Sequence, residues 1–272
     1  MNNWSFTQGL RARDALLLVV FGTFIARVPV AAAEPLRITN SDLRLGDSTV
    51  RIVTTETSSS GLTFLSLHEN EQTSVTAARQ IVGRHGGRLI EVRQQQQRLL
   101  SFSVSQGRYR VDPNRIFTDT GIERSLRLYG LYSPRAQEAV IRFREELLAK
   151  LLKGQPRIII AVHNNEGLST DSYRTGGRFE KEAANVAVNP KLYKSDFFLV
   201  WDDSLFNRLQ AAGFNVVLQS RTPSDDGSLS VYCQKNQVPY ANVECGHGHL
   251  EEQTRMTDAL VSIVERGQLK RG

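Results

Sequence analysis

Residues 196–219, DFFLVWDDSLFNRLQAAGFNVVLQ, decide the fold class. An apolar run, DFFLVW, stops at Asp202 and Asp203; an amphipathic stretch then carries the chain to Gly213, and a second apolar run, NVVLQ, follows. Strand, helix and strand in immediate succession make a βαβ unit. Runs this uniformly apolar belong to strands covered on both faces. Working outward, the alternation recurs. Further strands are predicted at VRIVTT (50–55), TFLSL (63–67), RLIEV (88–92), LLSFSVS (99–105), RIIIAV (157–162) and YANVE (240–244). One helix starts at Ser133 as N-cap with Pro134 at its first position, lines up Ala136, Val140, Phe143, Leu147 and Leu151, and ends near Gly154 and Pro156. Another follows Glu71, with Val75, Ala78 and Val82 inward and Gly86 beyond its end, and a last one covers MTDALVSIVERG (256–267). LLSFSVS alternates apolar and serine positions, so one of its faces is expected to be solvated. The fold class is α/β, a mixed and mostly parallel sheet sandwiched between helices.

Without its N-terminus, the 272-residue chain reads as one domain, residues 34–272, since no second domain or long linker interrupts it and 40% hydrophobic content suffices for a full core. Residues 1–33 read as a secretory signal peptide: Arg11 and Arg13, then the uncharged ALLLVVFGTFIA (15–26), then small residues at Ala31 and Ala33. The apolar run is about half the ~20 residues of a membrane span, so no stable membrane insertion is expected after cleavage. Cleavage takes three basic residues and one acidic residue off a formal charge of +6, leaving +4. The arginines are spread along the chain, which describes a solvated surface and excludes a concentrated nucleic-acid footprint. The expected location is exported, periplasmic or secreted. Cys233 and Cys245 are the only cysteines, and their spacing leaves open a disulfide or two small buried thiols. Nothing in the sequence sets the oligomeric state.

In open α/β sheets, ligands bind beyond the carboxyl ends of the strands. TFLSL is followed there by His68 and Glu71, RIIIAV by His163, and YANV by Glu244, although the chain holds only five histidines. A His and a Glu three apart can turn toward one point as a strand passes into a helix, and a third ligand from another strand completes a three-residue zinc site. An isolated HxxE is common, and His68 alone would read as a capped or buried histidine. A rival metal set, His163 with His247 and His249 of GHGH (246–249), leaves the HENE and DPNR patterns without a role. His85, in GRHGG at a helix end, reads as a solvated residue.

In chain order the motifs LHENE, DPNRIF, AVHNN and NVECG resemble those of the zinc carboxypeptidase superfamily, particularly its aspartoacylase and succinylglutamate desuccinylase branch. The resemblance covers residues ~60 to 250. It implies that His68, Glu71 and His163 bind Zn2+, that Asn114 and Arg115 hold a substrate carboxylate, and that Glu244 is the general base. It also implies a further arginine near the scissile carbonyl, for which Arg108 is preferred over Arg110. The family's tyrosine after the catalytic glutamate is absent here, so Tyr173, His247 or His249 is left to take its place. His247 is assigned to the substrate side, and either histidine of GHGH could donate to a developing oxyanion. The implied protein is a zinc metallocarboxypeptidase or amidohydrolase. Its expected substrate is a peptide, of the cell wall among others, or an N-acyl amino acid with a free carboxylate. The alternatives are an N-acyl amino acid deacylase and a non-catalytic envelope binding protein on the same fold.

Overall fold

The computed structural model describes residues 35–57 and 60–267, all within one compact unit. The expected leader at 1–33 lies outside the described residues. A nine-stranded sheet forms the centre: β1 (Arg37–Leu45), β2 (Ser48–Glu56), β3 (Leu62–Ser66), β4 (Arg88–Arg93), β7 (Ile158–Asn165), β8 (Ala183–Ala187), β9 (Phe197–Val200), β10 (Val216–Gln219) and β11 (Tyr240–Gly246). Its spatial order is β1-β2-β4-β3-β7-β11-β9-β10-β8. The middle strands β4, β3, β7 and β11 run parallel, and β9 and β10 are parallel to each other but antiparallel to β11. The βαβ unit expected at 196–219 is therefore present, with α4 (Asp203–Ala211) as its crossover and Asp202 accepting from Leu205 N at its start.

The two sheet faces carry separate cores because side chains alternate along each strand. On one face Phe64, Ile158, Ile160, Val162, Val243 and Cys245 pack with α1 (Gln72–His85), α4 and α6 (Leu250–Arg266). On the other, Leu65, Ile159, Ala161 and Tyr240 pack with α2 (Asp119–Tyr129), α3 (Pro134–Leu152) and α5 (Leu229–Lys235). Helix α3 begins as expected, Ser133 Oγ accepting from Ala136 N at 3.1 Å, and all five of its expected core residues are buried. Cys233 lies in the second core and Cys245 in the first, so the sheet separates two free, buried thiols.

LLSFSVS departs from its expected place. It forms β5 (Leu100–Val104), which pairs only with β6 (Gly107–Val111) in a separate two-stranded ribbon against the second core, Leu100 and Phe102 inward and its serines half-exposed. No helix among the described residues is long and apolar enough to cross a membrane.

Candidate metal centre

Two strand ends and a helix start converge at the centre of the sheet. His68 follows β3, Glu71 is the residue before α1, and His163 lies in the last turn of pleat in β7; they are 0%, 1% and 3% exposed. One ligand atom from each lies within 4.8 Å of the others, and no other such group forms among the described residues. Glu71 joins the two rings. Its Oε2 is 3.0 Å from His163 Nδ1, and its Oε1 is 2.9 Å from His68 Nδ1. That second contact is off the line of a hydrogen bond, so His68 Nδ1 has no hydrogen-bond partner, and neither has His163 Nε2. A buried polar atom left unbonded costs about 1–3 kcal/mol. A divalent cation held by His68 Nδ1, the Glu71 carboxylate and His163 Nδ1, the nitrogen that faces that carboxylate, would give His68 Nδ1 its missing partner, and two imidazoles with one carboxylate are a zinc donor set.

The surrounding residues hold the three side chains in place. Asp112 Oδ1 holds His68 Nε2 at 2.9 Å, fixing which nitrogen faces Glu71, as carboxylates behind metal-binding histidines do. Asp112 is itself held by Ser125 Oγ, which accepts from Asp112 N at 3.0 Å. Glu71 Oε2 also accepts from Asn164 N at 3.1 Å, while the Asn164 side chain accepts from Ser74 N at 2.8 Å and donates to Gln253 Oε1 at 2.8 Å. Gln253 donates in turn to the His163 carbonyl at 3.0 Å, so α1, β7 and α6 are bolted together at the ligands. Arg98 Nη1 donates to Glu71 Oε1 at 2.7 Å and its Nη2 lies 3.8 Å from Asp112 Oδ2. Burial alone would lower the His68 pKa, but the charge of Glu71 and the hydrogen bond to Asp112 prevail and push it up to about 9. Burial would likewise raise Glu71, but the charges of His163 and His68 hold it well below the usual carboxylate range.

Glu244 stands in register with His163 on the adjacent parallel strand, so both point to the second-core face. It is 7% exposed, Oε1 accepting from Asn242 Nδ2 at 2.9 Å and Oε2 from Asn165 Nδ2 at 3.2 Å. Asn114 and Arg115 occupy the short turn Pro113–Arg115, capped by Asp112, which places the pair directly after the carboxylate that holds His68. Asn114 Oδ1 accepts from Leu229 N at 3.2 Å, and Arg115 Nη1 lies 3.6 Å from Asp226 Oδ2. Tyr173 packs edge-on against Phe197, and burial, with the charge of Glu244 adding to it, pushes its phenol pKa up.

The remaining expected residues sit elsewhere. Arg108 is exposed on β6, and Arg110 donates to the Tyr129 carbonyl at 3.1 Å; the guanidinium that reaches the ligands is that of Arg98, in the loop after QQQQ. His247 is half-exposed, 3.9 Å from Glu166 Oε1, and His249 is held by Asp196 at 2.8 Å, so the rival His163, His247, His249 set does not assemble. His85 links α1 to α6 through Asp258 at 3.0 Å. Sequence reasoning passed over Arg98 and Asp112, although Asp112 opens the DPNR motif and a carboxylate behind a metal histidine is a general requirement.

No family model and no curated relative matches the chain. Solved structures do. The chain is similar to the cell shape determinant protein Csd4 (Gln46His variant) from Helicobacter pylori at 10% identity and TM-score 0.45, covering 79% of this chain and 55% of that one. It is similar to the murein-tripeptide amidase MpaA from Escherichia coli O157 at 15% identity and TM-score 0.42, covering 86% and 95% of the two chains. It is similar also to an aspartoacylase family protein from Mesorhizobium loti at 13% identity and TM-score 0.39, covering 84% and 71%. The chain spans just over half the length of the Helicobacter pylori protein.

Proposed function

We propose that this chain is an exported, zinc-dependent hydrolase that cleaves an amide or peptide bond next to a free carboxylate. The observation that carries the reading is the buried meeting of His68, Glu71 and His163 with Glu244 in register beside His163. Zinc, when bound, would polarise the scissile carbonyl and make a water acidic enough to lose a proton at neutral pH. Glu244 accepts that proton as the water attacks and returns it to the leaving amine nitrogen as the C–N bond breaks. Asn242 and Asn165 hold the carboxylate in place for both transfers. Arg98, already paired with carboxylates at the ligands, is placed to meet negative charge developing on the substrate.

Arg115 would hold the substrate carboxylate with its planar fork, assisted by the amide nitrogen of Asn114, whose oxygen serves Leu229. His247 would meet the outer part of the substrate at the rim. The leader read in residues 1–33 would deliver the protein outside the cytoplasm, where peptides of the cell wall are available. The test is the metal content of the purified protein, then turnover of a mixed panel of peptides and N-acyl amino acids offered as free acids and as amides. One zinc per chain and turnover of free acids alone is the expected result. A protein that takes up no zinc on loading, or that hydrolyses amidated substrates equally well, would overturn the reading.

A further inference from the structure

Of the GHGH motif, Gly246–His249, only His247 has a part above, yet His249 is firmly held by a buried carboxylate. Its Nδ1 lies 2.8 Å from Asp196 Oδ2 and 3.1 Å from Oδ1. Asp196 is 1% exposed and has no lysine or arginine partner among the described residues; Oδ1 accepts also from Gly246 N and Ser195 Oγ, both at 2.9 Å. The carboxylate takes the proton of the imidazole nitrogen it touches: in the neutral ring Nδ1 donates to Asp196 and Nε2 presents a lone pair. No described residue bonds to that Nε2, and the side chain is 35% exposed.

Gly246 shows where the ring is. Side chains two apart on a strand share a face, so position 246 faces as Glu244 does. A Cβ built on Gly246 would meet the His249 ring, 3.0 Å from Cε1, 3.1 Å from Nδ1 and 3.4 Å from Nε2. The imidazole therefore packs against position 246, whose Cα lies about 7 Å along the strand from that of Glu244, on the face to which position 246 points. Asn165, the register partner of Gly246, spans the gap by donating to Glu244.

We propose that His249, oriented by Asp196, is a substrate-contacting residue of this cleft, its Nε2 accepting a hydrogen bond from a peptide N–H that lies past Glu244. The assignment rests on the hydrolase reading above and narrows its substrate to peptides, because an N-acyl amino acid has no N–H beyond the cleaved amide. Asp196 is the positioning residue.

The experiment uses the zinc-loaded Glu244→Gln protein, which cannot consume its ligand, and calorimetric binding of two probes, N-acetylalanine and N-acetyl-trialanine, at neutral pH. The longer probe is expected to bind about tenfold tighter, equivalent to roughly 1.4 kcal/mol. Adding His249→Ala should erase that gain and leave N-acetylalanine within about twofold. Gly246→Ala, which keeps the imidazole but presses a methyl group into it, should also reduce the gain. A gain that survives His249→Ala, or no gain in the parent, overturns the assignment alone. A zinc-loaded protein that binds neither probe overturns the hydrolase reading, and this assignment with it.

Discussion

At the scale of single residues the three candidate ligands act as a unit, because each is buried and the Glu71 carboxylate lies within 3.0 Å of both imidazoles. His68→Ala or His163→Ala is expected to abolish stoichiometric zinc binding, measured by chelator competition. Asp112→Asn keeps the shape but weakens the hold on His68 Nε2, and zinc affinity should fall about 10- to 100-fold while the far-ultraviolet circular dichroism is unchanged. Retained affinity would mean that Asp112 is only a turn residue. Glu244→Gln should keep zinc and lower turnover by about 10²- to 10⁴-fold, since an amide cannot take a proton. A Gln variant as fast as the parent would remove Glu244 from the chemistry. Burial pushes both thiols up, Cys233 and Cys245 alike. In the native protein neither should react with an aromatic disulfide reagent at neutral pH, and both should react after unfolding.

At the scale of elements, two contacts set how the site is presented. Helix α2 and the loop before α5 touch backbone to backbone: a Cβ on Gly121 would meet Gly227 Cα at 2.2 Å and the Arg115 carbonyl at 2.7 Å. Gly121→Ala must separate these segments, so a stability loss of about 1–3 kcal/mol is expected in urea unfolding. The same variant should weaken binding of a free-acid probe, because the displaced carbonyl belongs to Arg115. A variant as stable as the parent would mean that the loop yields freely. The strands missed in the sequence share a cause. Strands β1, β6 and β8 are edge or ribbon strands with exposed positions, and their polar patterns lack the apolar runs that marked the central strands. Helix α6 begins six residues before its expected Met256, because its first turns, LEEQTR, show too few apolar positions to signal a buried face.

At the scale of the whole molecule, the sheet order puts the chemistry where it is. Strands β3, β7 and β11 are neighbours at the middle of the sheet, although about 100 and then 80 residues of chain separate their carboxyl ends. The parallel directions bring all three carboxyl ends to one edge, and the βαβ unit at 196–219 continues the sheet beyond β11. The first core on the far face supports this edge: Phe64 and Val162 lie beneath the ligand-bearing strands. If residues 1–33 are a leader, N-terminal sequencing of the exported protein should begin at Glu34. Retention of Met1 on an exported, membrane-associated product would instead mark an uncleaved anchor.

Much of this was legible in the chain by itself. Apolar runs of strand length, helix caps such as Ser133 and polar residues where runs stop are local signals, carried by neighbours in sequence; they yielded the fold class, the central strands and the strand-end candidates His68, Glu71, His163 and Glu244, whose roles were implied by the resemblance. What only the tertiary structure decided depends on residues far apart in the chain. The ribbon position of LLSFSVS, the hold of Asp112 on His68 and the reach of Arg98 to Glu71 arise from pairing and packing, which no local pattern encodes. So does the fate of the thiols: spacing allowed Cys233 and Cys245 to meet, but α5 and β11 put them into cores on opposite faces of the same sheet.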